Sequence, residues 1–433
     1  MKRLWELKKE WYNAIRVGWF LAFRQIRRSS KGTTILIISI MVLTFLNLVV
    51  VSGLLVGLLT GSFQAFKDSW AGDVIITPES GRDYIENSPQ LVSFIQNHPQ
   101  AQYYSARLGS AAQVLGTLDD NPPKEENPNQ VGSQIMGINP QQEEQLTRFS
   151  RFLIDGENLQ TGEEGYILIG ANLIKEYSSF ADANIPGLTL LRGVSVGDKV
   201  RVTLSGKDGQ SVSKDVVVKG IVKSKVDEIS TRMFMVDSEL RRMLPANREQ
   251  YQSIAIRLYD PNYAETMVAD LAKFNGEHDA LIQTAEQAIP SFLRDIETTF
   301  NILGNALSSI ALVVASITVF IVIFINAVTR RKFIGIMKGI GISPKAIQVS
   351  YIIQAFFYGV AGSAIGLFLT FVVLRPYFDA HPIDFPFSDG ILVATATGSA
   401  VRVGILLVVT LIAGYLPAKL IVRRNTLDSI LGR

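Results

Sequence analysis

Charge is missing from four long stretches of the chain. No Lys, Arg, Asp or Glu falls between Lys31 and Lys67, and Thr298 to Thr329 and Ala346 to Leu374 are equally bare. Ile391 to Leu416 is broken only by Arg402. Each stretch exceeds the roughly 20 apolar residues that cross a bilayer core. The pattern therefore predicts transmembrane helices over 33–60, 298–329, 346–374 and 391–417. The first is far longer than the about 7–15-residue apolar core of a signal peptide, so it reads as an uncleaved span.

Between the first two spans, residues 61–297 switch to the alternating or β-branched runs of strands. These are AGDVIITP (71–78), GYILIG (165–170), KVRVTLSG (199–206), KDVVVKGIV (214–222), TRMFMVD (231–237) and SIAIRLYD (253–260). Asp208-Gly209 is a hairpin turn signal between the third and fourth. PQLVSFIQNHP (89–99) and NYAETMVADLAKF (262–274) carry helical spacing. The expected class is a membrane protein of four transmembrane helices with one large α+β domain between spans 1 and 2. LDDNPPKEENPNQVGS (118–133) is polar and rich in Pro and Asn, which fits an inert exposed loop or a partner-binding tongue. From Pro290 to Arg331 nothing breaks a helix, about 60 Å at 1.5 Å per residue. The second span should thus begin in a stalk from about residue 290; two helices bent near Asn301–Asn305 are the alternative.

Charge then sets the orientation. Lys8, Lys9, Arg16, Arg24, Arg27, Arg28 and Lys31 precede the first span, and Arg330, Arg331, Lys332, Lys338 and Lys345 separate the second from the third. Lys419, Arg423 and Arg424 follow the fourth, whereas 376–390 holds Asp379, Asp384 and Asp389 without a Lys or Arg. Lys and Arg close to a span stay inside. Residues 1–32, the 330–345 segment and the 418–433 tail are therefore cytoplasmic, and 61–297 and the 375–390 loop are extracytoplasmic. The expected location is a membrane crossed four times. In 1–32, Leu4, Leu7, Trp11, Ile15, Gly18, Ala22 and Ile26 recur every three or four residues among basic ones. That fits an amphipathic helix in the inner interface, or a plain topogenic basic region. A hydrophobic content of 48% against 19% charged agrees with the membrane class, and the net charge of +3 conceals the regional biases.

Chemistry is sparse. The absence of cysteine removes disulfides, thiolate metal sites and thiol catalysis. His98, His278 and His381 fall at no metal-ligand spacing. No G-x-x-x-x-G-K-[ST] supplies a phosphate cradle. Neither a catalytic residue, a metal, a cofactor in this chain nor a nucleic-acid partner is expected. In the spans, Gly359, Gly362 and Gly366 have the spacing that lets helices approach closely, within the chain or between protomers. Asn47, Gln354 and Arg402 are polar groups in lipid. The first two fit bonds to a neighbouring helix or a substrate contact. Arg402, near the outer end of its span, fits snorkelling to headgroups or a functional intramembrane site.

RRKFIGIMKGIGISPKAI, 330–347, fills a connection that a bare turn would have served. After Arg330, Arg331 and Lys332, the residues Phe333, Ile336, Met337 and Ile340 recur at helical spacing beside Lys338. Gly339, Gly341 and Pro344 then end that turn. A short cytoplasmic helix with an apolar face is predicted, facing membrane lipid or a protein groove.

RRKFIGIMKGIGISPKAIQVSYIIQAFFYGVAGSAIGL resembles the signature of the ABC-transporter permeases of the macrolide-exporter, lipoprotein-release and cell-division (MacB, LolC/LolE, FtsX) superfamily. That signature is a basic pair, an I-G-x-x-K-x-x-G run and a third span with spaced glycines. GYLPAKLIVRRNTLDSIL is similar to the family's closing Y-P-A-x-x-A-x-R-x-x-P-x-x-A-L, and AFRQIRRSSKGTTILIISI to its passage into the first span. SVGDKVRVTLSG followed by KDVVVKGIV is similar to its G-D-x-V hairpin.

The resemblance implies a multi-pass, four-span permease of the bacterial cytoplasmic (inner) membrane without a fused ATPase, paired with a second permease subunit as a homodimer or heterodimer. A separate cytoplasmic ABC ATPase, carrying ATP and Mg, would sit on a coupling helix presenting Arg330, Arg331, Lys332, Phe333, Ile336, Met337, Lys338 and Ile340. The outer domain would divide into a porter-like lobe (61–150 and 250–297) and a sabre-like lobe (151–249), with an extracytoplasmic adaptor or acceptor as a further partner. Phe333 and Gln354 stand where the family often has Glu, which puts in doubt a salt bridge to the ATPase but leaves the apolar face. The implied function is mechanotransmission: ATP binding moves the coupling helix, and the 290–331 rod carries that movement outward to export or extract an amphiphile such as a lipoprotein, peptide or hydrophobic drug. The alternative is an FtsX-like signalling subunit that activates an extracytoplasmic partner such as a cell-wall hydrolase.

Overall fold

The computed structural model covers the 433-residue chain and describes all of it except residues 1, 30, 117–127, 179–180, 182–188, 206–210, 245–248, 277–279, 386–387 and 423–433. The Asp208-Gly209 turn, His278, Arg423, Arg424 and most of the 118–133 excursion lie outside the described residues.

The chain opens with α1 (Lys2–Arg27) and α2 (Lys31–Phe66), the latter prolonged by a π-helical turn at Lys67–Ala71. β1 (Val74–Pro78), α3 (Ser88–Gln96), β2 (Ala101–Leu115), β3 (Gln130–Ile138), α4 (Pro140–Thr147), β4 (Leu153–Gly156) and β5 (Tyr166–Gly170) follow. Next come β6 (Lys199–Ser205), β7 (Ser211–Val222), α5 (Asp227–Ser230), β8 (Met233–Val236), α6 (Asp237–Met243), β9 (Ser253–Leu258), α7 (Ala264–Asn275) and β10 (Ala280–Thr284). The last third holds α8 (Ser291–Thr329), α9 (Arg331–Gly339), α10 (Pro344–Phe368), α11 (Arg375–Ala380), β11 (Ile383–Phe385), β12 (Ser388–Gly390) and α12 (Ala396–Val422). Two compact units result: a helical one of residues 1–59, 295–384 and 389–433, and a sheet-rich one of 60–294 with 385–388.

In the sheet-rich unit, β10, β1, β9 and the first half of β2 pair antiparallel in that order, with α3 and α7 supplying the two crossovers. This is a split β-α-β pattern. Val74, Ile76, Ile254 and Ile256 of its strands close against Leu91 and Ile95 of α3 and Met267 and Leu271 of α7. The second half of β2 changes partners and pairs with β3 and β6. From there β3, β8, β5, β7 and β6 pair in turn, so the ring closes back on β2. Val114, Ile135, Ile167, Ile169, Val200, Val202, Val216 and Met233 form its apolar interior. The sequence puts a lobe boundary at 150/151; the change of partners falls inside β2, because one 15-residue strand is long enough to serve two sheets.

Among the described residues, the chain has four helices long and apolar enough to cross a membrane. Three of them meet at α10 through small residues. A Cβ on Gly362 would lie 2.3 Å from Met41 Cβ of α2, and one on Gly366 would lie 2.3 Å from Phe45. On another side of α10, Gly359 abuts Leu407 of α12, while Gly414 of α12 abuts Ala355. In lipid, where burial of apolar surface gives no driving force, such close approach supplies the packing energy. α1 also packs along α10: Ala14 and Ala22 are buried, and a Cβ on Gly18 would lie 2.7 Å from Val349. Trp11, Ile15, Trp19, Phe20 and Phe23 face outward.

Several bounds differ from the sequence reading. α8 runs unbroken through Asn301–Asn305 and stops at Thr329, with Arg330 in a turn. The third span ends in a π turn at Leu369–Leu374, and the first residues of the expected 375–390 loop are helical, as α11. The fourth helix starts at Ala396 rather than 391, because residues 391–395 are non-helical and lie against α2, where Val393 N donates to Gly53 O at 3.1 Å.

Candidate functional site

α9 is the short amphipathic helix predicted from RRKFIGIMKGIGISPKAI. Its C-terminal end is fixed by two bonds: Gly341 N donates to Lys338 O at 3.0 Å, and Ile342 N donates to Met337 O at 2.9 Å. Together they make a Schellman closure, which needs a left-handed residue at its turn. Gly341 has φ 92° and supplies it. Two residues later Ser343 accepts from Ala346 N at 3.2 Å and Pro344 occupies the first turn, so α10 starts at once.

This closure decides which way α9 faces. Ile334 is 1% exposed and sits in the same cluster as Ala327 of α8, Ile347 and Tyr351 of α10 and Ala418 of α12. Met337 and Ile342 pack against that cluster. The opposite side presents Phe333 (67% exposed), Ile336 (52%) and Ile340 (73%). Met337, expected on the exposed face, is therefore half-turned inward, since the apolar contact that accompanies a Schellman closure draws it toward Ile342. Ile334, which the periodicity passed over, is the anchor. Lys332 is exposed, Arg330 and Lys338 are half-buried, and the Arg331 side chain lies outside the described residues. Desolvation holds the Lys338 ammonium below the ordinary lysine value. The result is a basic, apolar-faced helix rooted between two membrane-length helices.

The polar residues of the spans are placed individually. Gln354 Nε2 donates to Gln25 Oε1 of α1. Asn47 Oδ1 is buried without a partner among the described residues. Arg402 Nη2 donates to Ser52 Oγ of α2. Gly359 faces α12, and Gly362 and Gly366 face α2, all within one chain. Among the described residues no group of three or more metal-ligating side chains occurs.

Sequence reasoning missed an arginine cluster in the sheet-rich unit. Four arginines converge on the π turn Lys67–Ala71 that prolongs α2. Arg107 Nη1 donates to Trp70 O at 2.8 Å, and its Nε and Nη2 grip Glu143 at 2.8 and 2.7 Å. Arg151 Nη2 donates to Ser69 Oγ at 3.1 Å, and Arg257 Nη1 to Asp68 Oδ1 at 3.2 Å. The Trp70 ring has the Arg107 guanidinium 4.0 Å from its centroid and that of Arg232 at 4.8 Å. Cations thus meet the negative end of a helix whose last carbonyls lack partners. Burial lowers the pKa of Arg232, and burial pushes the nearby Glu228 carboxyl up. No sequence signal marks this cluster, because the arginines are scattered along the chain.

Residues 305–426 match the family described as FtsX-like permease C-terminal. An uncharacterized ABC transporter permease of Methanocaldococcus jannaschii is 24% identical over 250 residues, covering 56% of this chain and 59% of that one. The lipoprotein-releasing system transmembrane protein LolC of Neisseria meningitidis serogroup B is 23% identical over 352 residues, 75% of this chain and 76% of its own. The macrolide export ATP-binding/permease protein MacB 1 of Yersinia pestis bv. Antiqua is 25% identical over 200 residues, 42% of this chain and 28% of its own. The chain thus spans 59% of the archaeal relative and 28% of the macrolide exporter. Residues 305–426 are thus similar to the FtsX-like permease C-terminal domain, and the relatives that the chain matches are named as ABC transporter permeases or their lipoprotein-releasing and macrolide-export counterparts.

Proposed function

We propose that this chain is the permease subunit of an ABC transporter whose ATPase is a separate cytoplasmic protein docked on α9. One observation carries the reading: Phe333, Ile336 and Ile340 form an exposed apolar face beside Lys332, on a helix anchored in the bundle by Ile334. An apolar face with basic flanks at the inner surface fits a helix-in-groove contact. ATP-driven closure of the ATPase pair moves α9, and Ile334 and Met337 pass that movement to α8 and α10. The 39-residue α8 is about 58 Å long at 1.5 Å per residue, about twice the hydrocarbon thickness, and carries the movement to the extracytoplasmic domain. The work done there is export or extraction of an amphiphile, a lipoprotein, peptide or hydrophobic drug, by a dimer with a second permease subunit in the cytoplasmic membrane.

The test is affinity purification of the full chain in mild detergent with mass spectrometry of what stays bound, comparing wild type with a Phe333→Asp, Ile336→Asp double variant. A P-loop ATPase retained by the wild type and lost from the variant is the expected result. No ATPase with either protein would overturn the reading. Co-purified lipid or lipoprotein identifies transport, whereas a wall hydrolase identifies the signalling alternative.

A further inference from the structure

The N-terminal end of α12 lies below the end of the first apolar stretch. Residues 391–395 run along α2, with Val393 N on Gly53 O and a Cβ on Gly57 only 1.8 Å from Ile391 O. Arg402, in the second turn of α12, donates from Nη2 to Ser52 Oγ. That level on α2 is about 10 Å short of Leu59 at 1.5 Å per residue. A Cβ on Gly398 would lie 2.9 Å from Arg402 Nη1, so the guanidinium folds back onto the first turn of its own helix. Ser399 in that turn is 1% exposed, and its hydroxyl has no hydrogen-bond partner among the described residues.

Two positive features therefore share one place: a guanidinium that stays charged, and the N-terminus of a 27-residue helix, equivalent to roughly half a positive charge. Ser52 is a neutral acceptor. α2, α10 and α12 contain no Asp or Glu, and among the described residues no carboxylate pairs with Arg402. At membrane depth such an arrangement calls for an anion. Thr395, Ala396 and Thr397 are exposed, and Val401, Ile405 and Val408 continue along α12 from that turn as an exposed apolar strip.

We propose that Arg402, Ser399, Ser52 and the first turn of α12 form a binding site for a phosphate group. Its oxygens accept from the Arg402 guanidinium, the Ser399 hydroxyl and the Ala396 and Thr397 amides, since Thr395 already accepts from Gly398 N through its hydroxyl and from Ser399 N through its carbonyl. The phosphate belongs to a lipid headgroup, whose acyl chains lie along Val401, Ile405 and Val408, or to a free phosphate. The proposal is independent of ATPase docking on α9.

Thermal unfolding of the full chain in uncharged detergent, titrated with phosphatidylglycerol or with inorganic phosphate, tests it. Wild type, Arg402→Met, Ser399→Ala and Ser52→Ala are compared, each first checked for a single monodisperse species. The expected result is a ligand-dependent rise in Tm for the wild type, with apparent affinity reduced about tenfold in Arg402→Met and by less in the serine variants, the scale of one charge-assisted hydrogen bond. A response to phosphatidylglycerol alone supports the site as a headgroup site, and an equal response to inorganic phosphate supports it as a free-anion site. No shift with either ligand, or equal affinity in wild type, Ser399→Ala and every other variant that folds, overturns the proposal. If Arg402→Met does not fold, the two serine variants decide.

Discussion

Ile342 donates its amide to the carbonyl of Met337 at 2.9 Å, and this bond sets the free side of α9. It draws Met337 toward the bundle and leaves Phe333, Ile336 and Ile340 outside. The bond depends on Gly341, whose φ of 92° a side chain resists.

Gly341→Ala is therefore expected to lower stability by about 1–2 kcal/mol, the cost of a left-handed L-residue, and to weaken retention of the ATPase proposed to dock on α9. Gly339→Ala is the control: it lies inside the helix with nothing within 4 Å of a built Cβ, and is expected to be neutral or slightly stabilising. Thermal unfolding of both variants checks this. Equal losses would sink the idea that the Schellman turn orients α9.

Ile334 and Phe333 are sequence neighbours with opposite roles. Ile334→Ala empties a buried site and should cost about 2–5 kcal/mol. Phe333→Ala, at a 67% exposed position, should leave the Tm nearly unchanged while reducing ATPase retention. A large Tm loss from Phe333→Ala would show that the face is packed in the free protein.

Gly362→Ala drives a Cβ to 2.3 Å from Met41 Cβ, so α10 and α2 must separate. The expected outcome is a clear drop in Tm. Gly404→Ala, with nothing within 4 Å, should be silent. An unchanged Tm in Gly362→Ala would count against this contact.

Arg107 and Glu143 are both almost fully buried and bonded to each other. Breaking such a pair from one side leaves an uncompensated charge, at about 3–5 kcal/mol. Arg107→Met should be more damaging than the double variant Arg107→Met, Glu143→Leu. Thermal unfolding of the three proteins tests the order, and strict additivity would refute the coupling.

Glu228 gives a pH dependence. Burial raises its carboxyl above the ordinary 4.5, against weaker opposing pulls from Arg232 and Arg107. The folded state thus favours the protonated form. That stabilisation is fully present below the ordinary value and is lost as pH rises through the raised one. From about pH 4.5 upward, wild type should therefore lose stability relative to Glu228→Gln. Parallel Tm curves for the two proteins between mildly acidic and neutral pH would contradict this.

The spans were legible in the sequence because backbone in lipid must satisfy its own hydrogen bonds, which demands long apolar helices. The strands at β1, β5, β6, β7, β8 and β9 were legible because one or both faces are buried and the pattern follows. β2 was not: AQYYSARLGSAAQVL mixes small and polar residues, since the strand passes from one sheet to a closed ring and carries Arg107 in its core. The 330–347 segment was visible as a basic helix with apolar spacing. Its facing was not, because a periodic stripe on a nine-residue helix names neighbours on a surface without saying which of them touches the bundle.

The sequence by itself determined where the chain crosses lipid and which short segment is basic and apolar, since hydropathy and charge are properties of consecutive residues. Only the tertiary structure decided that Ile334 anchors α9, that Arg402 turns to Ser52, and that four scattered arginines close on Lys67–Ala71. Those outcomes depend on contacts between residues far apart in the chain, which no local pattern encodes.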